Sequence, residues 1–277
     1  MAYALATEVA IGPEELGVAI KHGSLGSHLG IVYNDENDVA RILHLGWHKL
    51  LLVDGYPQSD WLASTINLPA IASSQAVALI QGMAELYGNK REPEGLDYGI
   101  NLFAGQGSID SNGRYAPGAD CDGFTCASII AEILHKVGFP LVDLPTWPAA
   151  PKNEAWARAI VCMLRATGTS AEHVEKVEAN ITGLRLRPEE VAAAAELPPE
   201  ERPVGHEVIQ DRADQIIAQI EELCGPAPEP NSRIRRCVIT YREELALLEA
   251  NETAANDVAV RDTNASGVQA NDGAAND

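Results

Sequence analysis

Short apolar runs separated by turn-forming residues fill the first part of the chain. The runs GVAIKH, LGIVYN, DVARILHLG and HKLLLVDG follow one another between Leu16 and about Val53. Runs of this length, bounded by Gly and Asn/Asp joints, are typical of strands, and NDEND at 34–38 predicts a hairpin between the second and third runs. The pattern therefore predicts a small antiparallel sheet.

Helical spacing follows further along the chain. SSQAVALIQGMAELYG at 73–88 predicts a helix that a serine caps and a glycine ends. GFTCASIIAEILHKVG at 123–138 predicts a second helix, with isoleucines at i, i+4 spacing and Cys126 in its first turn. The segment 89–122 between them lacks regular periodicity, and loops of that length in a compact domain are usually functional or mobile.

The remaining sequence suggests three regions. Residues 151 to 250 carry helical patterns throughout, interrupted by proline-rich breaks, and predict an α-helical subdomain after a first domain at 1–150. AND repeats with few bulky apolar residues fill 251–277, which predicts a disordered acidic tail. The fold class expected from these patterns is α+β.

Composition excludes some partners. The chain has 277 residues, 46% of them hydrophobic, and a formal net charge of -20. Such a field opposes nucleic acid and anionic membrane surfaces unless a strong basic patch offsets it. The one compact basic cluster, the arginines at 233–236 with Arg242, lies in a helical pattern beside Glu243 and Glu244, which indicates a solvated helix face. No apolar stretch is long enough for a membrane span. We therefore expect neither nucleic acid nor a membrane as a partner.

Two features of the sequence favour a cytoplasmic location. The N-terminus lacks the basic start of a secretory signal and reaches Glu8 early. The five cysteines are odd in number and scattered, which indicates reduced thiols rather than a disulfide framework.

Cys126 is the first candidate for chemistry. A thiol in the first turn of a helix faces unpaired amides and the positive end of the helix dipole, which would lower its pKa. The same amides can bind an oxyanion. The alternative is a buried free cysteine that packs as a small apolar residue.

His28 and His44 supply possible partners. His28 stands between a Gly/Ser joint and an apolar strand, and His44 lies near the end of the next strand. In a hairpin closed at 34–38 both fall away from the turn, so we expect their rings to be cross-strand neighbours. A thiol, a base and a residue that orients the base are the parts of an activated nucleophile.

These motifs resemble a known superfamily. SHLGIVY, the turn and ARILHLG look like the histidine strand and the following strand of NlpC-type papain-like cysteine peptidases, and GFTCASIIAEIL looks like their nucleophile helix. The histidine precedes the cysteine here, an order similar to the circularly permuted branch. LDYGINLFAG is similar to the Tyr-containing segment before the nucleophile. The resemblance covers about residues 16 to 140.

The resemblance implies a fold and a set of roles. It implies a small antiparallel sheet packed on the nucleophile helix, with Cys126 as nucleophile, His28 as general base and then acid, and His44 as the polar residue that holds the imidazole. The sequence departs from the family pattern in its long hairpin turn. His48 and Asp54 compete with His44 for the orienting role, and the helical half lies outside the resemblance.

Other arrangements of these residues remain open. Cys121, five residues before Cys126, is either a loop residue or a thiol that forms a regulatory disulfide with it. His44 and His48, with His28 and a Cys or Asp54, could form a tetrahedral zinc set, but the sequence has no CxxC or HExxH motif. We expect neither a metal nor a cofactor.

The function implied is a cysteine-dependent hydrolase that cleaves an amide through an acyl-enzyme, with a peptide or protein as substrate. An acyltransferase on the same fold is one alternative, and a non-catalytic binding module is another. The acidic composition favours a neutral or cationic peptide. The sequence leaves the oligomeric state open.

Overall fold

The computed structural model describes residues 3–90, 95–100, 107–118 and 122–268. Its main sheet has six strands, each antiparallel to its neighbours, in the order β1-β6-β2-β3-β4-β5. The strands are β1 Ala4–Leu5, β2 Leu16–Gly23, β3 Gly26–Asn34, β4 Ala40–Trp47, β5 Leu50–Gly55 and β6 Leu62–Ile66. β7 Ser108–Ile109 and β8 Tyr115–Ala116 form a separate pair.

Seven α-helices lie within the described residues, so the α+β class is confirmed. They are α1 Ala70–Tyr87, α2 Cys126–Lys136, α3 Pro151–Thr167, α4 Ala171–Ala179, α5 Pro188–Glu196, α6 His206–Cys224 and α7 Arg235–Val268. The described residues contain no helix that is long and apolar enough to cross a membrane.

The predicted hairpin is confirmed, whereas the start of α1 differs from the prediction. β3 and β4 pair from Ile31↔Leu43 to Asn34↔Ala40, with the predicted turn between them. α1 begins at Ala70, after Pro69, rather than at the serines. Ser73 is instead buried and donates its hydroxyl to the Glu14 carbonyl, so its side chain joins the helix to the turn before β2.

The sheet has a large core on one face and a small one on the other. Leu29, Ile31, Leu43 and Leu45 belong to the large core, which also contains the apolar side of α2. The small core contains Ala6, Ile11, Ala19, Val32, Ile42, Trp61 and Ala63. Successive side chains of β3 and β4 therefore point alternately toward the large core and the small core.

The large core continues across residue 150. It includes side chains from Tyr3 to Ile220, and α5 contacts both β2 and α2. The Tyr3 hydroxyl donates to the Ala192 carbonyl at 3.1 Å. The helical region 151–250 thus shares its core with the sheet. α7 continues to Val268, into the segment predicted to be disordered, and 269–277 lie outside the described residues.

Candidate active site

The main sheet opens between β3 and β4 at the end away from their turn. Residues of β3 before Ile31 pair with β2, and residues of β4 after Leu43 pair with β5. A cavity of about 710 Å³ adjoins this opening. Its lining includes Ser27 and His28 from β3, His44, Gly46 and Trp47 from β4, and Tyr98, Thr125 and Cys126 from the chain at and before α2.

His28, His44 and Asp54 form a hydrogen-bonded relay across β3, β4 and β5. His28 Nε2 lies 2.8 Å from His44 Nδ1, and His44 Nε2 lies 3.0 Å from Asp54 Oδ2. The two rings meet edge to face at 4.8 Å, so the predicted cross-strand neighbours are confirmed. Asp54, the rival candidate for the orienting role, is a third member of the same relay.

Gly30 makes room for this relay. A Cβ atom on Gly30 would lie 2.7 Å from Ile42 Cγ1 and 3.3 Å from His44 Cβ. The first distance is shorter than carbon atoms tolerate, so only glycine lets β3 and β4 approach at this position.

The relay fixes where the protons lie when both rings are neutral. Asp54 accepts a hydrogen bond and so requires a proton on His44 Nε2. His44 Nδ1 is then an acceptor, which requires a proton on His28 Nε2. His28 Nδ1 is left as an unprotonated nitrogen, the form that a general base needs.

The surroundings keep both rings neutral. Burial, with smaller contributions from the neighbouring His44 and Lys21, lowers the pKa of His28 to about 3. The pKa of His44 is also lowered, mainly by burial, although Asp54 opposes the shift through its hydrogen bond and its charge. Both imidazoles are therefore neutral at neutral pH, as the proton positions in the relay require.

Cys126 is the first residue of α2, directly after the N-cap Thr125. The Thr125 hydroxyl accepts from the amides of Ala127 and Ser128 at 3.2 and 3.0 Å, and the Thr125 amide donates to Ser128 Oγ. Two of the amides expected to bind an oxyanion are therefore engaged in the cap.

The predicted low pKa of Cys126 is wrong. Burial raises the pKa of the thiol to about 11, and the backbone amides of Leu29 and Cys126 and the charge of Arg185 offset only part of that rise. The side chain is 5% exposed. Desolvation outweighs the helix terminus because a buried thiolate loses its hydration. The resting sulfur is thus a neutral thiol.

Cys126 and the two histidines of the relay line the same cavity, but the described hydrogen bonds do not join Cys126 to His28. Cys126 belongs to the large core, whereas the rings of His28 and His44 contact Trp61 of the small core. The cavity therefore touches side chains associated with both cores. The Leu29 amide, which acts on the sulfur, belongs to the residue after His28.

Tyr98 is held next to Cys126 by an extended segment. Phe124 donates to the Asp97 carbonyl at 2.9 Å and Gly99 donates to the Phe124 carbonyl at 3.0 Å. Burial raises the pKa of the Tyr98 phenol, and the charge of an ionised Cys126 raises it further. The phenol therefore stays protonated and can donate a hydrogen bond into the cavity.

Two further histidines fix the backbone of Tyr98. Its amide donates to His48 Nδ1 at 3.4 Å, and its carbonyl accepts from His173 Nε2 at 2.8 Å. His173 carries no recognisable signal in the sequence, because its partner is 75 residues away along the chain. His48 is therefore separate from the relay and supports Tyr98 instead.

His48, Asp97 and His173 are the group within the described residues that could hold a metal ion, with ligand atoms within 4.8 Å of one another. Lys49 Nζ already lies 2.9 Å from Asp97 Oδ1. A divalent cation would have to displace this ammonium group. The zinc set considered from the sequence is different, since His28 and His44 bind each other.

The cysteines differ from the expectation of reduced thiols. Cys162 and Cys237 form a disulfide between α3 and α7, whereas Cys126 and Cys224 are free. The prediction is wrong for this pair because helix packing brings together residues 75 positions apart. Cys121 lies outside the described residues.

Comparison of the chain with protein-family models, with curated proteins and with solved structures yields no match.

Proposed function

We propose that the protein is a thiol hydrolase that cleaves an amide through an acyl-enzyme, on a papain-like fold of the permuted NlpC type. The observation that carries the proposal is the relay, because it leaves His28 Nδ1 unprotonated in a cavity that Cys126 also lines. The antiparallel sheet packed on α2 and the order of His28 before Cys126 support the same superfamily.

The chemistry proceeds in two steps. His28 Nδ1 takes the Cys126 proton as the sulfur attacks the substrate carbonyl, and then returns it to the departing amine. The thioester is hydrolysed by a water that His28 deprotonates in turn. Asp54 and His44 stabilise the imidazolium that forms between these transfers. The Cys126 amide and the Tyr98 phenol are the donors available to an oxyanion.

The buried neutral thiol has a consequence for this mechanism. With the pKa of Cys126 near 11 and that of His28 near 3, no preformed thiolate–imidazolium pair exists in the free protein. Proton transfer therefore has to accompany the attack. Catalytic hydrogen bonds often tighten only when substrate binds, and we expect this of the Cys126 and His28 contact.

Two features of the chain bear on the cellular compartment in which the protein works. The sequence favours the cytoplasm, whereas the Cys162–Cys237 disulfide favours an oxidising compartment, because disulfides persist there.

The test is acylation of the full chain by p-nitrophenyl acetate. Attack by a cysteine releases one p-nitrophenolate and leaves an acetyl thioester, which peptide mass spectrometry places on a named residue. We expect one acetyl group on Cys126, and we expect His28→Gln to slow its formation by about a hundredfold, a typical contribution of a general base.

Two controls make the result decisive. His135→Gln changes an exposed histidine of α2 and should leave acetylation unchanged. Acetylation of Cys121 instead of Cys126 would identify Cys121 as the nucleophile. Acetylation spread over the cysteines and insensitive to His28→Gln would favour the non-catalytic binding module.

A further inference from the structure

The cavity gathers positive charge in a chain whose formal net charge is -20. Lys21, Arg185 and Arg233 all contribute to its lining. Lys21 is already paired with Asp60 at 3.0 Å and lies over the Trp61 ring. Arg233 is exposed. Arg185 is therefore the cation whose position inside the cavity needs an explanation.

Stacking on an aromatic ring, and no carboxylate among the described residues, holds Arg185 in place. Its guanidinium lies over the buried Trp156 ring, 3.9 Å from the ring centroid. Among the ion pairs of the described residues, none involves Arg185, whereas Arg187 two positions later contacts both Glu189 and Glu190. A guanidinium that stacks on an aromatic ring keeps its N–H donors free for an anion.

Arg185 is close enough to Cys126 to matter for a substrate. Its positive charge lowers the pKa of Cys126 and that of Tyr98, against the larger effect of burial. The buried Glu189 has the opposite effect on Cys126, but it is paired with Arg187 at 3.4 Å. An anion on Arg185 would thus lie in the same cavity as the thiol.

Part of the remaining cavity wall is apolar. It includes Leu25 from the β2–β3 turn, Trp47 from β4, Ile160 and Met163 from α3, and Ile234 just before α7. An apolar wall together with a stacked guanidinium that has no carboxylate partner among the described residues favours a ligand that combines an apolar group with an anionic group.

We propose that the cavity binds substrates carrying a carboxylate beside an apolar group, with Arg185 as the residue that binds the carboxylate. This substrate class rests on the proposed function, and it differs from the neutral or cationic peptide that the acidic composition favours. The local charge of the cavity decides recognition at contact distance, whereas net charge acts mainly on encounter.

The test compares phenylacetate with phenylacetamide, which share size and ring but differ in charge. Calorimetric titration of the full chain should show the carboxylate binding at least about tenfold more tightly than the amide, as expected for a charge-assisted bidentate contact. Arg185→Gln should abolish this ratio, and Arg185→Lys should keep part of it, because lysine retains the charge without the fork.

Arg165→Gln is the matched control, because Arg165 is an exposed arginine of α3 that pairs with Glu178 outside the cavity. Equal binding of the two probes, or a ratio that Arg185→Gln leaves intact, would overturn the proposal. Thermal unfolding of each variant shows whether it is folded, and Arg185→Lys supplies the result if Arg185→Gln unfolds.

A second readout separates this proposal from the proposed function. Cys126 should react faster with iodoacetate than with iodoacetamide relative to Cys224, and Arg185→Gln should remove that preference. Charge-selective binding without acetylation of Cys126 would keep the anion site and reject the hydrolase. Acetylation without charge-selective binding would keep the hydrolase and reject the anion site.

Discussion

At the residue scale, the decisive feature is the direction of the relay from Asp54 to His28. Asp54 determines which nitrogen of His44 carries a proton, and His44 in turn determines the tautomer of His28. The sequence could place the two histidines as neighbours because a single hairpin joins their strands. It left Asp54, His44 and His48 as rivals, since the order of the relay depends on register across a third strand.

Asp54→Ala tests this positioning role. We expect acetylation of Cys126 at pH 7 to slow by at least about tenfold, because His44 loses the acceptor that orients it. Asp54→Asn keeps the shape but removes the charge and can present its NH2 group to His44, so it should also slow the reaction. If both variants acylate at the wild-type rate, Asp54 has no part in orienting the relay.

The buried histidines also predict how stability depends on pH. The pKa values of His28 and His48 are lowered to about 3 and about 4, whereas unfolded histidine titrates near 6.5. Below pH 6.5 the unfolded chain binds protons that the folded chain does not, so stability falls as pH decreases toward 4.

Urea unfolding at pH 7, 6, 5 and 4 measures this dependence. Each histidine contributes at most about 1.4 kcal/mol per pH unit, and His28→Gln should make the fall shallower by up to that amount. An identical slope in the wild-type protein and in His28→Gln would show that His28 is not held neutral.

At the element scale, the site depends on how β3 and β4 separate. Apolar runs and turn residues indicated both strands, their hairpin and α2, because these features are local. The opening between the strands was not predictable in this way. It arises because β3 continues along β2 and β4 continues along β5. His173 and Arg185 likewise reach the site through contacts distant in sequence, whereas the segment of Tyr98 was indicated by the resemblance.

Gly30→Ala probes the close approach of these strands. The added methyl group would meet Ile42 and His44, so we expect destabilisation of about 1–3 kcal/mol in urea unfolding, a usual cost of overpacking. Acetylation of Cys126 should also fall, because His44 is displaced. Gly55→Ala is the control, since a Cβ at Gly55 meets nothing within 4 Å. Equal stability of the two variants would contradict the role of Gly30.

At the scale of the whole molecule, the helical region completes the cavity instead of forming a separate unit. α3 contributes Trp156, Ile160 and Met163, and the residues before α7 contribute Arg233 and Ile234. The Cys162–Cys237 disulfide ties these two elements together. Helical periodicity predicted that the region is helical, but it carries no information on which face meets the sheet.

The disulfide should therefore contribute to global stability. It links residues 75 positions apart, and Cys162→Ala together with Cys237→Ala should lower the free energy of unfolding by about 2–4 kcal/mol. Reduction of the wild-type protein by dithiothreitol should give a similar loss and leave the double variant unchanged. Peptide mapping without reductant that finds both cysteines as free thiols would reject the pairing.

The most direct test of the central claim is the rate of Cys126 acetylation as a function of pH between 5 and 9. If His28 accepts the proton during attack, the wild-type rate should be nearly flat, since neither the thiol nor His28 titrates in that range. In His28→Gln the rate should rise about tenfold per pH unit, because it then follows the thiolate fraction. A wild-type rate that rises in the same way would show that His28 does not act on Cys126.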